Sequence, residues 1–447
     1  MRARHQRLGY VITVMALRLV ATGRTANAGT FVVDRTDDAP TATACTAAAD
    51  DCSLRGAVIA ADATPNDAST ITVPAGTFLL TQATDCTFRT TNRDAFSYDV
   101  TVHVTSLCLS APITIQGDSA ATTIIDGTQA GNVALVSQLA TVELRDLTLT
   151  HGRQQNSDYG GGGVGNYGTL TLTRTRMHAN SAVLGGGVYS YGPLTVFQSL
   201  IDGNFTEGNG FGEGGGIFVN RGGSATVIES TIADNTADLH GGGLDVFEGS
   251  VVVRDSTISG NHTIFGHGGG IQTFGVPATP VTIVITNSTL SGNSSQNTGG
   301  GLNVNPNVTA RLQSVTIAGN TAGTQSQGAG GGIEVDITSS VTIRNSLIAG
   351  NTNAVSGGPD DCTTNFYGNS WLTSEGYNLV ADAALCLITG DTTGNQLNVD
   401  PALAPLADNG GPTLTRALLP ASPALDAGNP AGCTDDDAVV LAHDQRG

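Results

Sequence analysis

Apolar and polar residues recur in one register through the middle of the chain. The segments SATVIESTIADN (224–235), VVVRDSTISGN (251–261) and SVTIRNSLIAGN (340–351) end in Asn, with apolar residues three, eight and ten positions before it. Positions ten and eight have the two-residue period of a half-buried strand, and the step from eight to three breaks that period. Each copy therefore predicts two short strands separated by a bend. The asparagines that end the seven copies are Asn180, Asn204, Asn235, Asn261, Asn293, Asn320 and Asn351.

A third short strand follows a glycine triplet in each copy, as in GGGLDVF (241–247) and GGGIQTF (268–274). The triplets recur every 24 to 31 residues, and Val, Ile or Leu always comes next. A repeat of this size cannot bury its apolar face alone, whereas stacked repeats share one core. We predict an all-β fold, a single right-handed parallel β-helix with three strands per coil and roughly ten coils. A β-propeller blade of about 40 residues and four strands fits less well.

The recurring polar and glycine positions are expected to be structural. Stacked coils bring the asparagines into a ladder in which each amide donates to the carbonyl oxygen of the next, and Asn tolerates left-handed backbone angles. The glycine triplets suit tight corners with positive φ. They do not form a phosphate loop, because no GxxxxGK[ST] motif is present and no helix follows.

Composition restricts the partners and the location. All 19 basic residues are Arg, against 38 acidic residues, and the formal net charge is −19. This charge argues against nucleic acid and anionic membrane surfaces as partners. Residues 1–28 resemble a signal peptide, with early arginines, an apolar run and the cleavage site Ala26-Asn27-Ala28. No later segment is apolar enough for a transmembrane helix. We therefore expect a secreted or cell-surface protein.

Seven cysteines fit an exported chain, in which disulfides are the default. Proximity favours three pairs among the 15 pairings that six cysteines allow, and it leaves Cys433 unpaired. The predicted pairs are Cys45–Cys52, Cys86–Cys108 and Cys362–Cys386.

The two ends of the chain resemble known bacterial segments. CSLRGAVIAADATPNDAS, from Cys52, is similar to the CSLREA segment that precedes β-helices, with Gly56 in place of its Glu. DPALAPLADNGGPTLTRALLPASPALDAGNP, from Asp400, resembles the choice-of-anchor region of bacterial surface proteins. The repeats between them resemble those of pectin-lyase-like and polymorphic outer-membrane proteins. The resemblance implies export and a surface or extracellular location.

The repeats and the resemblances at the two ends predict four regions along the chain. Residues 1–28 are the signal peptide, and 29–110 form an N-terminal cap and the first coils. Residues 111–354 are the β-helix repeats, and 355–447 form irregular terminal coils with the anchor-like region. A short amphipathic helix over 53–62 is expected to cover the open end of the first coil.

Outward positions of the strand after each triplet are rich in aromatic residues, at six of 14 positions where the chain average is 5%. Aromatic faces beside amides suit stacking on sugar rings. The alternative is that these rings pack beneath loops or on one another. Our main functional prediction is a non-enzymatic, adhesin-like or glycan-binding protein whose partner is a polysaccharide or a cell-surface glycan. The predicted ligand-binding residues are Tyr167, Tyr189, Tyr191, Phe218, Phe247, Phe274, Gln272 and Asn303.

The alternative function is a polysaccharide lyase or a glycoside hydrolase that acts on an acidic, plant or microbial polysaccharide. Lyases with this fold use Arg or Lys as the base, but the chain has no Lys, and no Arg stands in the outward positions. Glu213, His240 and His267 precede three successive triplets, so stacking would place them about 5 Å apart. With Asp245 in the neighbouring strand they could hold a metal or transfer protons. The alternative is a solvated polar corner.

Glu334 and Asp336 form a second candidate pair. Period two places them on one face about 7 Å apart. That separation suits the two carboxyl groups of an inverting glycosidase, although adjacent outward acids are also common as plain surface residues.

No cofactor and no metal site is predicted. The chain has no CxxC pair for zinc. Calcium remains possible at two acidic clusters, but neither contains a DxDxDG loop. The clusters are Asp34, Asp37, Asp38, Asp50 and Asp51, and Asp435 to Asp437.

Overall fold

The chain folds as a right-handed parallel β-helix, which confirms the predicted fold class. The computed structural model describes residues 29–91, 97–155, 160–208, 210–323, 330–364, 370–435 and 439–447. The predicted signal peptide lies outside these residues. Three parallel sheets of 13, 12 and 10 strands run along the solenoid. Within them, each strand pairs with its equivalent one coil later, for example Val251 with Ile283.

The first sheet holds the strands with the apolar positions ten and eight before Asn. These strands are Gly29–Val32, Ser69–Thr72, Ile113–Gln116, Thr141–Arg145, Thr169–Thr173, Pro193–Phe197, Ser224–Ile228, Ser250–Arg254, Val281–Thr286, Val308–Gln313, Ser340–Arg344, Trp371–Glu375 and Ile388–Asp391. The second sheet holds the position three before Asn. Its strands are Gly76–Leu79, Thr123–Asp126, Thr148–Thr150, Arg176–His178, Leu200–Asp202, Thr231–Ala233, Thr257–Ser259, Thr289–Ser291, Thr316–Ala318, Leu347–Ala349, Leu379–Val380 and Gln396–Leu397.

The third sheet follows the glycine triplets and is called the post-triplet sheet below. Its strands are Leu107–Leu109, Ala134–Val136, Val164–Asn166, Val188–Ser190, Ile217–Val219, Leu244–Phe247, Ile271–Phe274, Leu302–Val304, Ile333–Val335 and Cys362–Thr364. Two-residue strands follow six of the ladder asparagines, and a seventh such strand follows Gly152. They are Arg153–Gln154, Ser181–Ala182, Phe205–Thr206, Thr236–Ala237, His262–Thr263, Thr321–Ala322 and Thr352–Asn353.

The apolar register fills the interior. Val251, Val253 and Ile258 stand ten, eight and three residues before Asn261, and each is at most 1% exposed. The predicted bend lies between the first and second sheets, where Asp255 has a φ of 51°. Turning there returns Ile258 to the core and thereby explains the break in the two-residue period.

The asparagine ladder is confirmed. Asn235 Nδ2 donates to Asn261 Oδ1 at 3.0 Å, and Asn261 Nδ2 donates to Asn293 Oδ1 at 2.9 Å. All seven predicted asparagines are at most 1% exposed. The ladder continues one rung further than predicted, because Asn351 Nδ2 donates to Asp361 Oδ1 at 2.8 Å.

A second ladder, made of hydroxyl groups, runs along the bend and was not predicted. The backbone N–H of Ser230 donates to Ser256 Oγ, and that of Ser256 donates to Ser288 Oγ, both at 3.1 Å. These serines stand five residues before the ladder asparagines, so their recurrence was visible in the sequence. Val315 interrupts the series.

The glycine triplets are required by close approach between coils. The first glycine of a triplet has positive φ, as predicted, with 63° at Gly241. A Cβ on the third glycine, Gly243, would lie only 2.7 Å from the carbonyl oxygen of Gly270 and 2.9 Å from Asn261 Nδ2. A larger residue would therefore push adjacent coils apart.

The N-terminal end is capped by the helix Leu54–Asp62, close to the predicted 53–62. Ser53 Oγ accepts the backbone N–H of Gly56 at 2.9 Å, which begins the helix. A Cβ on Gly56 would overlap the carbonyl oxygen of Ala42, which accounts for glycine at this point. Arg55 is buried and donates to both carboxylate oxygens of Asp38, at 2.6 and 2.9 Å.

Two antiparallel hairpins lie outside the coils. Thr84–Thr91 pairs with Ser97–Val104, and Leu403–Ala407 pairs with Thr415–Leu418. The three predicted disulfides are all present, and Cys433 is free. The Cys86–Cys108 bond ties the first hairpin to the post-triplet sheet.

The C-terminal region was predicted to add irregular coils, and it also does something that was not predicted. Strands through Gln396–Leu397 continue the sheets. The chain then folds back along the bend between the first and second sheets, where Thr413 and Leu414 form hydrogen bonds with Asp255 and Thr257. Gln445 is 7% exposed and donates to Ser256 O at 3.0 Å and Thr257 Oγ1 at 2.9 Å. Among the described residues, no helix is long and apolar enough to cross a membrane.

Candidate functional site

The outward-facing column of the post-triplet sheet changes chemistry along the solenoid. Its N-terminal half is apolar and includes Leu135, Tyr189 and Phe218. Its C-terminal half consists of four polar residues on successive coils, which we call the polar column. The polar column is Asp245, Gln272, Asn303 and Glu334.

The first hairpin covers the apolar half. Tyr189 and Phe218 stack with ring centroids 5.8 Å apart, and Tyr167 lies 5.7 Å from Tyr189. Val100 and Val102 of the hairpin pack against this cluster. The expectation that Tyr167, Tyr189 and Phe218 face solvent is wrong, because they are at most 3% exposed. The alternative, that the rings pack on one another and beneath a cover, is confirmed for these three residues.

A second outward column is half-buried and includes Tyr191, Phe247 and Phe274. The rings of Phe247 and Phe274 are nearly parallel, with centroids 5.4 Å apart. In the polar column, by contrast, Gln272 and Asn303 are only 2% and 0% exposed, so their predicted exposure is wrong. The role of these residues in ligand binding stays a prediction.

The residues before the triplets stack as predicted and form the wall beside the polar column. Glu213 pairs with His240 in a parallel bridge, and the rings of His240 and His267 lie 5.3 Å apart. His267 Nδ1 lies 2.7 Å from Thr298 Oγ1, which also accepts the side-chain amide of Asn303. This chain of contacts explains why Asn303 is buried, since the segment that carries Thr298 lies over it.

Metal binding gains no support from this geometry. Within the described part of the chain, no group of three or more His, Cys, Asp or Glu side chains is placed to hold a metal ion. The acidic clusters considered for calcium are engaged elsewhere: Asp37 pairs with Arg35, and Asp435 with Arg254. Positions 436 and 437 lie outside the described residues.

Burial shifts the pKa values of ionisable groups in the wall and in the adjacent polar column. Burial raises the pKa of Asp245 well above its usual range, and nearby Glu213 raises it further. Burial, with a smaller contribution from His267, lowers the pKa of His240 from 6.5 to about 4. Burial also lowers the pKa of His267. At neutral pH the two imidazoles are therefore neutral, and burial disfavours the charged form of the Asp245 carboxyl group beside them.

Glu334 is the most perturbed half-buried acid on this face. Burial, with smaller contributions from the neighbouring carboxyl groups of Asp336 and Asp360, raises its pKa from 4.5 to about 8. Glu334 ends the polar column, and Asp336 lies two residues on in the second outward column. The two candidate acids are thus on one face, as predicted.

Several buried oxygen atoms on this face have no hydrogen-bond partner among the described residues. They belong to the same group of coils and are acceptors that this face leaves unused. These atoms are Gln272 Oε1, Asn303 Oδ1, Glu334 Oε2 and Asp360 Oδ2.

Two exposed aromatic residues beside this region were not predicted from the sequence. Phe211 is 68% exposed and Phe265 is 53% exposed. Each stands two residues before a wall residue, Glu213 and His267 respectively. Their position within loops of otherwise small and polar residues could have predicted this exposure from the sequence.

Comparisons with known proteins identify no family. No family model and no curated protein matches the chain. Among solved structures, pectate lyase Pel9A aligns with a TM-score of 0.39 and 18% identity, over 76% of this chain and 81% of that one. The PL6 family alginate lyase AlyGC aligns with a TM-score of 0.26 and 11% identity, over 87% of this chain and 56% of that one. The resemblance of the chain ends to CSLREA and choice-of-anchor segments therefore stays a prediction.

Proposed function

We propose that the protein hydrolyses a polysaccharide on the polar half of the post-triplet face. The observation that carries this proposal is Glu334, a half-buried acid whose pKa is raised to about 8. It lies among buried oxygens that have no hydrogen-bond partner in the described part of the chain. Strongly perturbed carboxyl groups of this kind concentrate at functional sites.

Glu334 and Asp336 have the roles that an inverting glycosidase requires. Protonated Glu334 donates its proton to the glycosidic oxygen as the bond from that oxygen to the anomeric carbon breaks. Asp336 accepts a proton from a water molecule that attacks the same carbon from the opposite side. The products are two saccharides, with the configuration at the cleaved anomeric carbon inverted.

The substrate is expected to be a neutral polysaccharide. The face presents carboxyl and amide groups, and the chain carries a net charge of −19. Both features disfavour acidic sugars. The absence of Lys from the chain and of Arg from the outward positions also argues against a lyase that uses a basic residue.

The test is a panel of neutral polysaccharides with reducing ends as the readout and NMR of the first anomer released. We expect Glu334→Gln and Asp336→Asn each to lower kcat by about 10²-fold or more. Asp234→Asn, which removes an exposed acid at the bend before Asn235, is the matched control and should keep full activity. Full activity of Glu334→Gln would overturn the assignment.

A second candidate is glycan binding without cleavage. It is favoured by the exposed rings of Phe211 and Phe265, together with the parallel pair Phe247 and Phe274. Aromatic faces of this kind stack on sugars. A glycan array would test it, since Phe211→Ala with Phe265→Ala should abolish binding while the wild type releases no reducing ends. Retention of binding by that double variant would exclude these rings as the platform.

We also propose that the protein acts outside the cell or on its surface. Three disulfides support this location, because such bonds persist in oxidising compartments. Fractionation of producing cells, with thiol labelling of the chain, would test it. Recovery of reduced protein from the cytoplasm alone would contradict the proposal.

A further inference from the structure

A cavity of about 720 Å³ lies between the folded-back C-terminal region and the bends of the solenoid. Its solenoid wall includes Ser314 and Asn345, and its outer wall includes Leu418 and Leu425 of the C-terminal region. The volume is typical of sites for small organic molecules. The cavity lies at the bends and not on the post-triplet sheet, so a ligand bound there is independent of the proposed hydrolase activity.

Arg416 lines this cavity, and its guanidinium group has no counter-ion among the described residues. Arg416 is half-buried, and its Nε donates to Ser291 Oγ at 2.8 Å. No Asp or Glu of the described residues forms an ion pair with it, and burial lowers its pKa. A Cβ on Gly319 would lie 2.6 Å from Arg416 Nη2, so the glycine leaves room for the group. An unpaired, partly desolvated guanidinium in a strongly acidic protein indicates an anionic ligand.

The remainder of the cavity wall is suited to an apolar group. Leu418 is 37% exposed and Leu425 is 50% exposed, although both line a concavity. Leu403 and Leu441 extend the same wall. In addition, Ser314 Oγ is buried without a hydrogen-bond partner among the described residues. Asp444 and Arg446 also line the cavity, but they pair with each other. Exposed leucines beside the guanidinium group of Arg416 are what a ligand with an apolar body and one charged end requires.

We propose that this cavity binds a small amphipathic carboxylate, with the carboxylate on Arg416 and the aliphatic or aromatic body against the leucines. Such a ligand contacts both the C-terminal region and the solenoid, and it therefore stabilises their association by mass action.

Isothermal titration calorimetry and thermal unfolding with three probes test the proposal on the full chain. The probes are octanoate, octanol, which lacks the charge, and sulfate, which lacks the apolar body. We expect saturable binding of octanoate, a rise in the melting temperature, and weaker binding of the other two. Arg416→Met should weaken octanoate binding about tenfold or more and leave octanol unchanged, because it removes a charge-assisted hydrogen bond.

Two further variants keep the result interpretable if Arg416→Met perturbs folding. Leu425→Asp changes a half-exposed residue and should also abolish octanoate binding by placing a negative charge in the wall. Arg174→Met, which alters an arginine paired with Asp146 outside the cavity lining, is the matched control and should bind as the wild type does. Absence of octanoate binding, or unchanged binding by Arg416→Met, would overturn the proposal. Sulfate binding as tightly as octanoate would overturn the amphipathic class of ligand.

Discussion

Replacing Asn261 by Ala tests how far the asparagine ladder holds the coils together. The side chain is fully buried and makes four hydrogen bonds. It donates to Asn293 Oδ1 at 2.9 Å and to Ile232 O at 3.0 Å. It accepts the backbone N–H and the side-chain amide of Asn235, both at 3.0 Å.

The four bonds are not equivalent. After the substitution, Asn235 Nδ2 still donates to Ile201 O, and Asn293 Oδ1 still accepts the backbone N–H of residue 261. The backbone N–H of Asn235 loses its acceptor in the ladder. Leaving that group unsatisfied costs roughly 1–3 kcal/mol, and each of the other losses costs about 1 kcal/mol. We therefore expect a loss of about 4–6 kcal/mol, concentrated in the coils next to residue 261.

Hydrogen exchange measured by mass spectrometry is the appropriate assay, because a solenoid opens coil by coil. Amides of residues 231–293 should exchange faster in Asn261→Ala, whereas those of residues 113–173 should be unchanged. Asn297→Ala is the control, since Asn297 makes one bond to Phe265 O at an exposed site, and it should lose about 1 kcal/mol or less. Equal effects of the two substitutions would refute the ladder argument.

The remaining predictions concern the cap and the buried acids and bases. Arg55→Met leaves Asp38 buried without its partner and should lower the free energy of unfolding by about 3–5 kcal/mol, as measured by thermal unfolding. Much of this loss should be recovered when Asp38→Leu is added. Additive effects of the two substitutions would contradict this prediction. The pKa of Glu334 is raised from 4.5 to about 8, so between these pH values the folded state holds a proton that the unfolded state has lost. The free energy of unfolding should therefore fall by roughly 3–5 kcal/mol as the pH rises from 4.5 to about 8. Glu334→Gln should remove this slope in melts at several pH values. Because the pKa of His240 is lowered from 6.5 to about 4, stability is lost as pH falls through that window, and His240→Gln should be less sensitive to acid.

The fold was predictable because one register repeats through the chain. Each copy places Val, Ile or Leu at nearly the same inward positions, and no local conflict opposes the stack. The ladder asparagines and the disulfides follow from the same regularity and from proximity in sequence. The Ser230 to Ser288 ladder was equally regular, and it was missed because serine is common in turns of every kind, whether or not its hydroxyl group bonds to a neighbouring coil.

The exposure of the post-triplet face was not predictable from the repeats. Whether Tyr189 and Phe218 face solvent depends on a hairpin that lies more than 80 residues earlier in the chain. The sequence register shows which side chains point out of the coil, but it carries no information about which separate segment covers them. The folded-back C-terminal region was missed for the same reason.

The acids of the polar column are difficult to explain by the stability of the coil. The outward position that holds Glu334 is occupied one coil later by Thr363, which carries no ionisable group. Holding a carboxyl group at a pKa of about 8 costs folding free energy. A threonine at this point would not have that cost. Asp245 is more buried still, and its burial and the neighbouring carboxyl group of Glu213 both raise its pKa. Asp245 and Glu334 therefore both oppose folding, and they lie three coils apart on one face. The β-helix architecture does not require either of them. This is the behaviour expected of groups kept for chemistry at a site that trades stability for function.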